Sequence, residues 1–174
     1  MEEIRVVIDI ENKVVVVTGA SRGIGREIAQ IFAKEKAKVV INYFNSEKQA
    51  IELYEQISDY NSECMLVKAD VTKQEEVLDM YIMVMNQYGH VDVLINNAGL
   101  CNDNLLPVMS YEQFLDVVNV NLFGTFLCSR LFSRNMIHNR KGKIINIASI
   151  KGIEGSIGQS NYSSSKAGVI SLTK

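Results

Sequence analysis

The chain has 174 residues, of which 47 % are hydrophobic, and its formal net charge is −2 at pH 7. This size predicts one domain with a core of its own, and the lack of a basic surplus excludes the electrostatic footprint of a nucleic-acid-binding protein. No apolar run approaches the roughly 20 residues of a membrane helix, and the acidic first residues are unlike a signal peptide, so we expect a cytoplasmic protein. The 3 cysteines lack Cys-x-x-Cys spacing and the 2 histidines are isolated from them, so neither a disulfide framework nor a metal site is predicted.

The first clear pattern is a strand followed by a glycine-rich turn and a helix. Residues 1–12 precede it and are interpreted as an N-terminal extension. Residues 14–17 are all valine, apolar on both faces, as in a central parallel strand covered by helices on each side. The sequence Thr-Gly-Ala-Ser-Arg-Gly-Ile-Gly follows at 18–25, and apolar residues then keep helical spacing. Glycine lets the backbone turn sharply and approach a pyrophosphate at the positive end of the helix, so this order predicts a dinucleotide site.

The second predicted strand, residues 37–42, indicates which dinucleotide binds. An NAD-preferring fold usually has Asp or Glu near the end of this strand to bind the ribose 2′-hydroxyl, whereas an NADP-preferring fold replaces that charge and adds an arginine. Asn42 and Tyr43 stand at this place, and Arg22 lies in the glycine-rich turn. We therefore predict NADP(H) as the cofactor.

Helices and strands alternate along the rest of the chain, which predicts a doubly wound parallel α/β sheet. Further strands are predicted at 64–67, 91–95 and 142–148. Helix starts are predicted from three pairs of residues three positions apart: Ser46 with Gln49, Thr72 with Glu75, and Ser110 with Gln113. The last of these helices contains Asn121, which is either tolerated there or bends the helix and places a polar group or water near the site.

Four special stretches directly follow predicted strands: residues 19–25, Asp70, residues 96–99 and Ser149. In doubly wound sheets ligands bind outside the carboxyl ends of the strands, where the strand order reverses. We therefore expect all four stretches to line one crevice.

Tyr162 and Lys166 are four positions apart at the start of the last predicted helix, and so lie on one face. A fixed cation beside a phenol favours phenolate, which makes Tyr162 a candidate general acid-base. Ser149 could hydrogen-bond a substrate oxygen at the same point. A chance pairing of Tyr and Lys is the alternative when this stretch is taken alone.

Together these motifs resemble the short-chain dehydrogenase/reductase family from about residue 13 to the last residue. They occur in the family's order: the glycine-rich turn at 18–25, Asn-Asn-Ala-Gly at 96–99, Asn121, Ser149, and Tyr162 with Lys166. The resemblance implies a dinucleotide-binding domain of the Rossmann type over residues 13–174.

The resemblance also implies catalytic roles. Tyr162 donates a proton to a ketone oxygen as hydride arrives from the nicotinamide, while Lys166 favours phenolate and holds the nicotinamide ribose. Ser149 positions and polarises the carbonyl, and Asn121 supports a water that leads protons to Lys166.

Dinucleotide contacts are implied in the same way, with Asp70 and Val71 at the adenine and residues 97–99 at the adjoining ribose. The implied set is Gly19, Ser21, Arg22, Gly23, Ile24, Asn42, Asp70, Val71, Asn97, Ala98, Gly99, Tyr162 and Lys166.

Within the family, residues 103–106 and 158–168 look most like the 3-oxoacyl-[acyl-carrier-protein] reductases of fatty acid synthesis. This implies NADPH-dependent reduction of a 3-oxoacyl thioester, with an acyl-carrier-protein-linked or other small ketone as the substrate, by a homodimer or homotetramer. Two alternatives remain: the same chemistry on another alcohol or ketone such as a sugar or steroid, and a truncated dinucleotide-binding module without turnover.

Two departures from the family pattern carry expectations. Lys36 stands where relatives commonly place glycine, and would cost about 1 kcal/mol if left-handed. The sequence also ends before the family's last strands, so we expect the fifth strand to lie at an exposed edge, open to association.

Overall fold

The computed structural model describes residues 10–60 and 62–174. Of the interpreted N-terminal extension, residues 1–9 lie outside the described residues. The amide of Asn12 donates to the carbonyl of Lys36 at 3.0 Å, so the chain enters the domain beside the end of the first helix.

The sheet consists of five parallel strands: β1 (Val14–Val17), β2 (Lys38–Tyr43), β3 (Cys64–Lys68), β4 (Val93–Asn96) and β5 (Lys143–Asn146). Their order is β3-β2-β1-β4-β5. The chain builds the sheet outward from β1 in one direction and then returns to add β4 on the other side. The doubly wound Rossmann-type sheet is confirmed, and the reversal between β1 and β4 is the place where such sheets bind ligands.

Helices connect these strands and cover both faces of the sheet. In the described residues they are α1 (Gly23–Lys34), α2 (Glu47–Ser58), α3 (Gln74–Tyr88), α4 (Tyr111–Val118), α5 (Gly124–His138), α6 (Lys151–Glu154) and α7 (Ser160–Leu172). A 3-10 turn (Leu106–Val108) precedes α4, and a π-helical turn (Asn119–Phe123) joins α4 to α5.

Both faces of β1 are buried, because alternate side chains of a strand point to opposite sides of the sheet. One pair of its valines packs with Met80 of α3 and Phe132 of α5. The other pair packs with Ala29 of α1 and Leu53 of α2. The valine run is therefore a central strand between two apolar layers, as predicted.

Of the three predicted helix starts, one has the expected side-chain hydrogen bonds. Ser110 and Gln113 form a reciprocal capping box, with the Gln113 amide donating to Ser110 Oγ at 3.1 Å and the Ser110 amide donating to Gln113 Oε1 at 2.9 Å. Ser46 precedes α2 but makes no side-chain cap bond, so the capping box predicted there is wrong.

The capping box predicted from Thr72 is also wrong. The residue before α3 is Lys73, and the Thr72 hydroxyl donates instead to Asp70 Oδ1 at 2.8 Å. A carboxylate two residues away was a nearer partner than the helix amides.

The helical stretch Tyr111–His138 is long and apolar enough to cross a membrane by length and composition alone. Its residues Cys128, Leu131 and Phe132 pack in the core against the sheet, which accounts for their apolarity. The π-helical turn falls at Asn121, which is 1 % exposed. Of the two alternatives for Asn121, the structure shows the one in which the helix is distorted and a polar group is placed inside.

The two departures from the family pattern, Lys36 and the fifth strand as an edge strand, both have the expected local structure. Lys36 has a φ of 65° and is left-handed. In the described part of the chain β5 pairs with β4 alone, and its Ile145 is 43 % exposed, so β5 is an edge strand.

Candidate active site

A cleft of about 790 Å³ opens at the carboxyl ends of the strands. The family resemblance implies thirteen dinucleotide contacts, and all of them except Tyr162 and Lys166 line this cleft. They are Gly19, Ser21, Arg22, Gly23, Ile24, Asn42, Asp70, Val71, Asn97, Ala98 and Gly99. Sequence reasoning did not single out Lys73, Asp116 and Asn119, which also line the cleft, because nothing in their local pattern marks them.

The glycine-rich turn is shaped by close backbone approach and by left-handed conformations. Gly19 has a φ of 60°, and a Cβ there would lie 2.8 Å from the Cα of Ala98. A Cβ on Gly25 would lie 2.3 Å from Asn97 Nδ2. Gly23, with a φ of 57°, has no atom within 4 Å of its Cβ position, so it leaves open space at the start of α1. The first turn of α1 carries no acidic residue, and its free amides suit a pyrophosphate.

Thr18 ties the two loops of the cleft together. Its Oγ1 accepts hydrogen bonds from the amides of Asn97 and Ala98 at 2.9 and 3.0 Å. Asn97 Nδ2 in turn donates to the carbonyls of Thr18 and Gly19 at 2.9 and 3.0 Å. No separate role was predicted for Thr18 from the sequence, although a polar residue at the end of an apolar strand was a usable signal.

The second wall of the cleft is formed by the end of β2 and by the residues after β3. Asn42 is 1 % exposed; its Oδ1 accepts from the Gly19 amide at 3.2 Å and its Nδ2 donates to the Ala69 carbonyl at 3.0 Å. Its side chain therefore supports the glycine-rich turn from below. Asp70 Oδ1 accepts from the Thr72 amide at 2.9 Å, which fixes that carboxylate at the cleft wall.

Lys166 is buried next to the cleft without lining it, and is 5 % exposed. Its Nζ donates to the carbonyl of Ile147 at 2.7 Å and lies 5.7 Å from the ring centroid of Tyr162. A Cβ on Gly99 would lie 3.9 Å from the same Nζ. Burial lowers the pKa of Lys166 from its ordinary value, because desolvation disfavours the charged form. The structure thus places the ammonium beside the ring of Tyr162, as the i, i+4 spacing predicted.

Asn121 connects the π-helical turn to α7 and to the loop after β4. Its Oδ1 accepts from the Leu100 amide at 2.7 Å, and its Nδ2 donates to the Leu100 carbonyl at 3.0 Å and to Ser165 Oγ at 2.9 Å. Ser165 Oγ donates to the carbonyl of Tyr162 at 2.7 Å. Asn121 is therefore linked to Tyr162 through Ser165, a residue that sequence reasoning did not single out.

Ser149 lies two residues beyond Ile147, whose carbonyl holds Lys166. Its Oγ is half-buried and accepts from the amide of Lys151 at 3.2 Å, which leaves the hydroxyl hydrogen to donate toward a ligand. The following segment packs against α7, since a Cβ on Gly152 would lie 2.7 Å from the carbonyl carbon of Lys166. The segment that carries Ser149 therefore packs against the helix that carries Tyr162 and Lys166.

Residues 13–174 match the sequence model of the short chain dehydrogenase family, and the chain belongs to this family. Its members are oxidoreductases that use a nicotinamide dinucleotide.

Individual relatives are similar over nearly the whole chain. It is 46 % identical over 163 residues to 3-oxoacyl-[acyl-carrier-protein] reductase FabG of Staphylococcus epidermidis, and 43 % identical over 162 residues to that of Staphylococcus aureus. It is 41 % identical over 162 residues to 3-oxoacyl-[acyl-carrier-protein] reductase of a Synechocystis species. The alignments cover 94, 93 and 93 % of this chain and 67, 66 and 66 % of the relatives. The chain therefore spans about two thirds of their length.

Proposed function

We propose that this protein reduces a 3-oxoacyl thioester to the 3-hydroxyacyl thioester with NADPH. The observation that carries the proposal is the buried Lys166 beside Tyr162, next to Gly99 of a glycine-lined cleft. The relatives at 41 to 46 % identity, each named a 3-oxoacyl-[acyl-carrier-protein] reductase, favour this substrate class. On the same basis we propose a cytoplasmic homodimer or homotetramer that accepts the substrate on acyl carrier protein.

The cleft fits the proposed dinucleotide. The amides at the start of α1 face the open space left by Gly23 and would bind the pyrophosphate. Arg22, exposed at the rim, would pair with a ribose 2′-phosphate, and no carboxylate follows β2 directly to repel it. The nicotinamide, when bound, supplies the hydride.

The chain's own side chains handle the proton and the substrate oxygen. Tyr162 donates its phenolic proton to the ketone oxygen, and Ser149 donates a hydrogen bond to the same oxygen, which stabilises the negative charge that develops there. The ammonium of Lys166 stabilises the phenolate that Tyr162 becomes. Asn121 orders the backbone of Leu100 and, through Ser165, that of Tyr162.

The test is consumption of NADPH with an acetoacetyl thioester by the wild-type protein and by Tyr162→Phe. We expect the variant to lose roughly 100-fold or more of turnover, the scale of general-acid catalysis, with NADPH affinity within about twofold. Tyr111→Phe is the matched control, because Tyr111 is 73 % exposed and does not line the cleft. Turnover that survives in Tyr162→Phe would refute the mechanism, and no turnover in the wild type would refute the activity.

A further inference from the structure

Asn161, the residue before Tyr162, has a completely buried side chain, 0 % exposed, in the first turn of α7. Its Nδ2 donates to the carbonyls of Asn102 and Gln113 at 2.8 and 3.1 Å. Its Oδ1 accepts from the amide of Tyr162 at 2.8 Å, one of the helix-start amides that have no partner within the helix. One amide group therefore joins the loop after β4, helix α4 and the first turn of α7.

The segment of residues 99–102 is held from two sides. Asn121 binds both backbone groups of Leu100, and Asn161 binds the carbonyl of Asn102. The segment begins at Gly99, which lines the cleft and lies against Lys166. The wall beside Lys166 is thus fixed to the turn that carries Tyr162.

The backbone of Tyr162 is also held at both of its polar groups. Asn161 accepts from its amide, and Ser165 donates to its carbonyl at 2.7 Å. Asn161 has no exposed surface and all of its side-chain hydrogen bonds go to backbone groups of the chain, so it acts on a ligand only through the residues that it holds.

We propose that Asn161 is a positioning residue for proton transfer: it fixes the first turn of α7 against residues 99–102, and so keeps the Tyr162 phenol in line with the substrate oxygen. The inference rests on the proposed function, because it concerns the same site. Small misplacements of a reacting group are expensive, about 100-fold for roughly 1 Å. We therefore expect substitutions of Asn161 to lower turnover and to leave the affinity for the cofactor nearly the same.

The test compares Asn161→Ala and Asn161→Asp with the control Gln159→Ala. Asn161→Asp keeps the shape but turns a carboxylate oxygen toward two carbonyl oxygens. Gln159→Ala removes two exposed hydrogen bonds of Gln159 Nε2, to Asp103 Oδ2 at 2.7 Å and to Cys101 Sγ at 3.6 Å, which join the residue before α7 to the loop after β4. We expect kcat for NADPH-dependent reduction of an acetoacetyl thioester to fall about 10- to 100-fold in both Asn161 variants. The NADPH dissociation constant, measured by fluorescence titration, should change less than about twofold, and Gln159→Ala should keep both values.

A double variant separates positioning from general destabilisation. If Asn161 acts through Tyr162, adding Asn161→Ala to Tyr162→Phe should change the residual turnover less than about twofold, since coupled residues are not additive. The same fold-loss in both backgrounds overturns the proposal. Loss of NADPH binding together with turnover in both Asn161 variants also overturns it.

Hydrogen exchange tests the positioning role of Asn161 without any measurement of turnover. It applies even if the wild-type protein reduces no thioester, an outcome that would refute the proposed function. Faster amide exchange at residues 99–102 and 160–163 in Asn161→Ala, but not in Gln159→Ala, supports the positioning role. Unchanged exchange at both segments overturns it.

Discussion

Lys36 is the residue at which the chain leaves helix α1, and its φ of 65° lies in the left-handed region. This conformation costs an L-residue roughly 1–2 kcal/mol, because the Cβ crowds the following carbonyl. The Lys36 amide still donates to the Ala33 carbonyl at 2.9 Å, and its ammonium donates to the Tyr60 carbonyl. These bonds offset part of the strain at a position that glycine would occupy without it.

We expect Lys36→Gly to be more stable than Lys36→Ala by about 1 kcal/mol. Both variants lack the bond to Tyr60, so the comparison isolates the backbone strain. Urea unfolding followed by circular dichroism gives the difference in the free energy of unfolding. NADPH affinity should be the same in both, since Lys36 does not line the cleft. Equal stabilities would show that the left-handed conformation carries no strain here.

Asp92 ties the strands together at the end of the sheet opposite the cleft. It is 7 % exposed, and its Oδ2 accepts from the Val14 amide at 3.0 Å. Its carboxylate also lies 3.2 Å from His90 Nε2 and 3.3 Å from Lys141 Nζ. Burial alone would raise the pKa of Asp92, but the hydrogen bonds from Val14 and Lys141 and the charges of His90 and Lys141 outweigh it and lower the pKa.

A lowered folded-state pKa means that Asp92 contributes stability above its unfolded pKa of about 3.9, and that this stability is lost as pH falls through the folded value. At pH 7 we expect Asp92→Asn to lose about 1–3 kcal/mol of the free energy of unfolding, the scale of a hydrogen-bonded charge. The difference from wild type should close as the pH falls below about 4. Chemical denaturation across this pH range measures it.

The control for Asp92 is Glu154→Gln. Glu154 forms an exposed ion pair with Lys151 at 3.8 Å, and such pairs contribute about 0–1 kcal/mol. A gap between wild type and Asp92→Asn that does not depend on pH would contradict the role of the charge.

The elements that could be predicted from the sequence are those whose determinants are neighbours along the chain. The valines of β1 and the glycine-rich turn are consecutive residues, and Ser110 with Gln113 spans one helical turn. The prediction of a capping box at Thr72 was wrong because the Thr72 hydroxyl donates to the nearby carboxylate of Asp70.

The parts of the site that could not be predicted depend on distant contacts. Asn121 reaches Leu100 across 21 positions, and Asn161 reaches Asn102 across 59. No periodicity or spacing encodes such pairs, so the π-helical turn appeared in the sequence only as an asparagine inside a helix. The implied dinucleotide residues were easier to place, because parallel strands bring their carboxyl ends to one edge.

At the scale of the whole molecule, the two ends of the sheet carry different groups. The carboxyl edge carries the cleft, with Gly19, Asp70 and Gly99 among its lining residues. Asp92, with the side chains of His90 and Lys141 beside it, lies at the amino ends of β1 and β4. Strands buried on both faces join the two ends. A ligand in the cleft therefore stabilises the folded domain as a unit, and its binding can be measured as stability without any turnover.

NADPH should accordingly raise the melting temperature of the protein, and more than NADH does. A ligand at about 100 times its dissociation constant adds about 2.7 kcal/mol, which for a domain of this size corresponds to roughly 5–10 °C. Arg22→Ala should reduce the shift with NADPH and leave that with NADH, because only NADPH carries the 2′-phosphate that Arg22 is proposed to pair with. Arg134→Ala is the control, since Arg134 is exposed on α5 and does not line the cleft. Equal shifts with both cofactors in the wild type would contradict the preference for NADPH, and an equal loss of both shifts in Arg22→Ala would show that Arg22 supports the glycine-rich turn without selecting the phosphate.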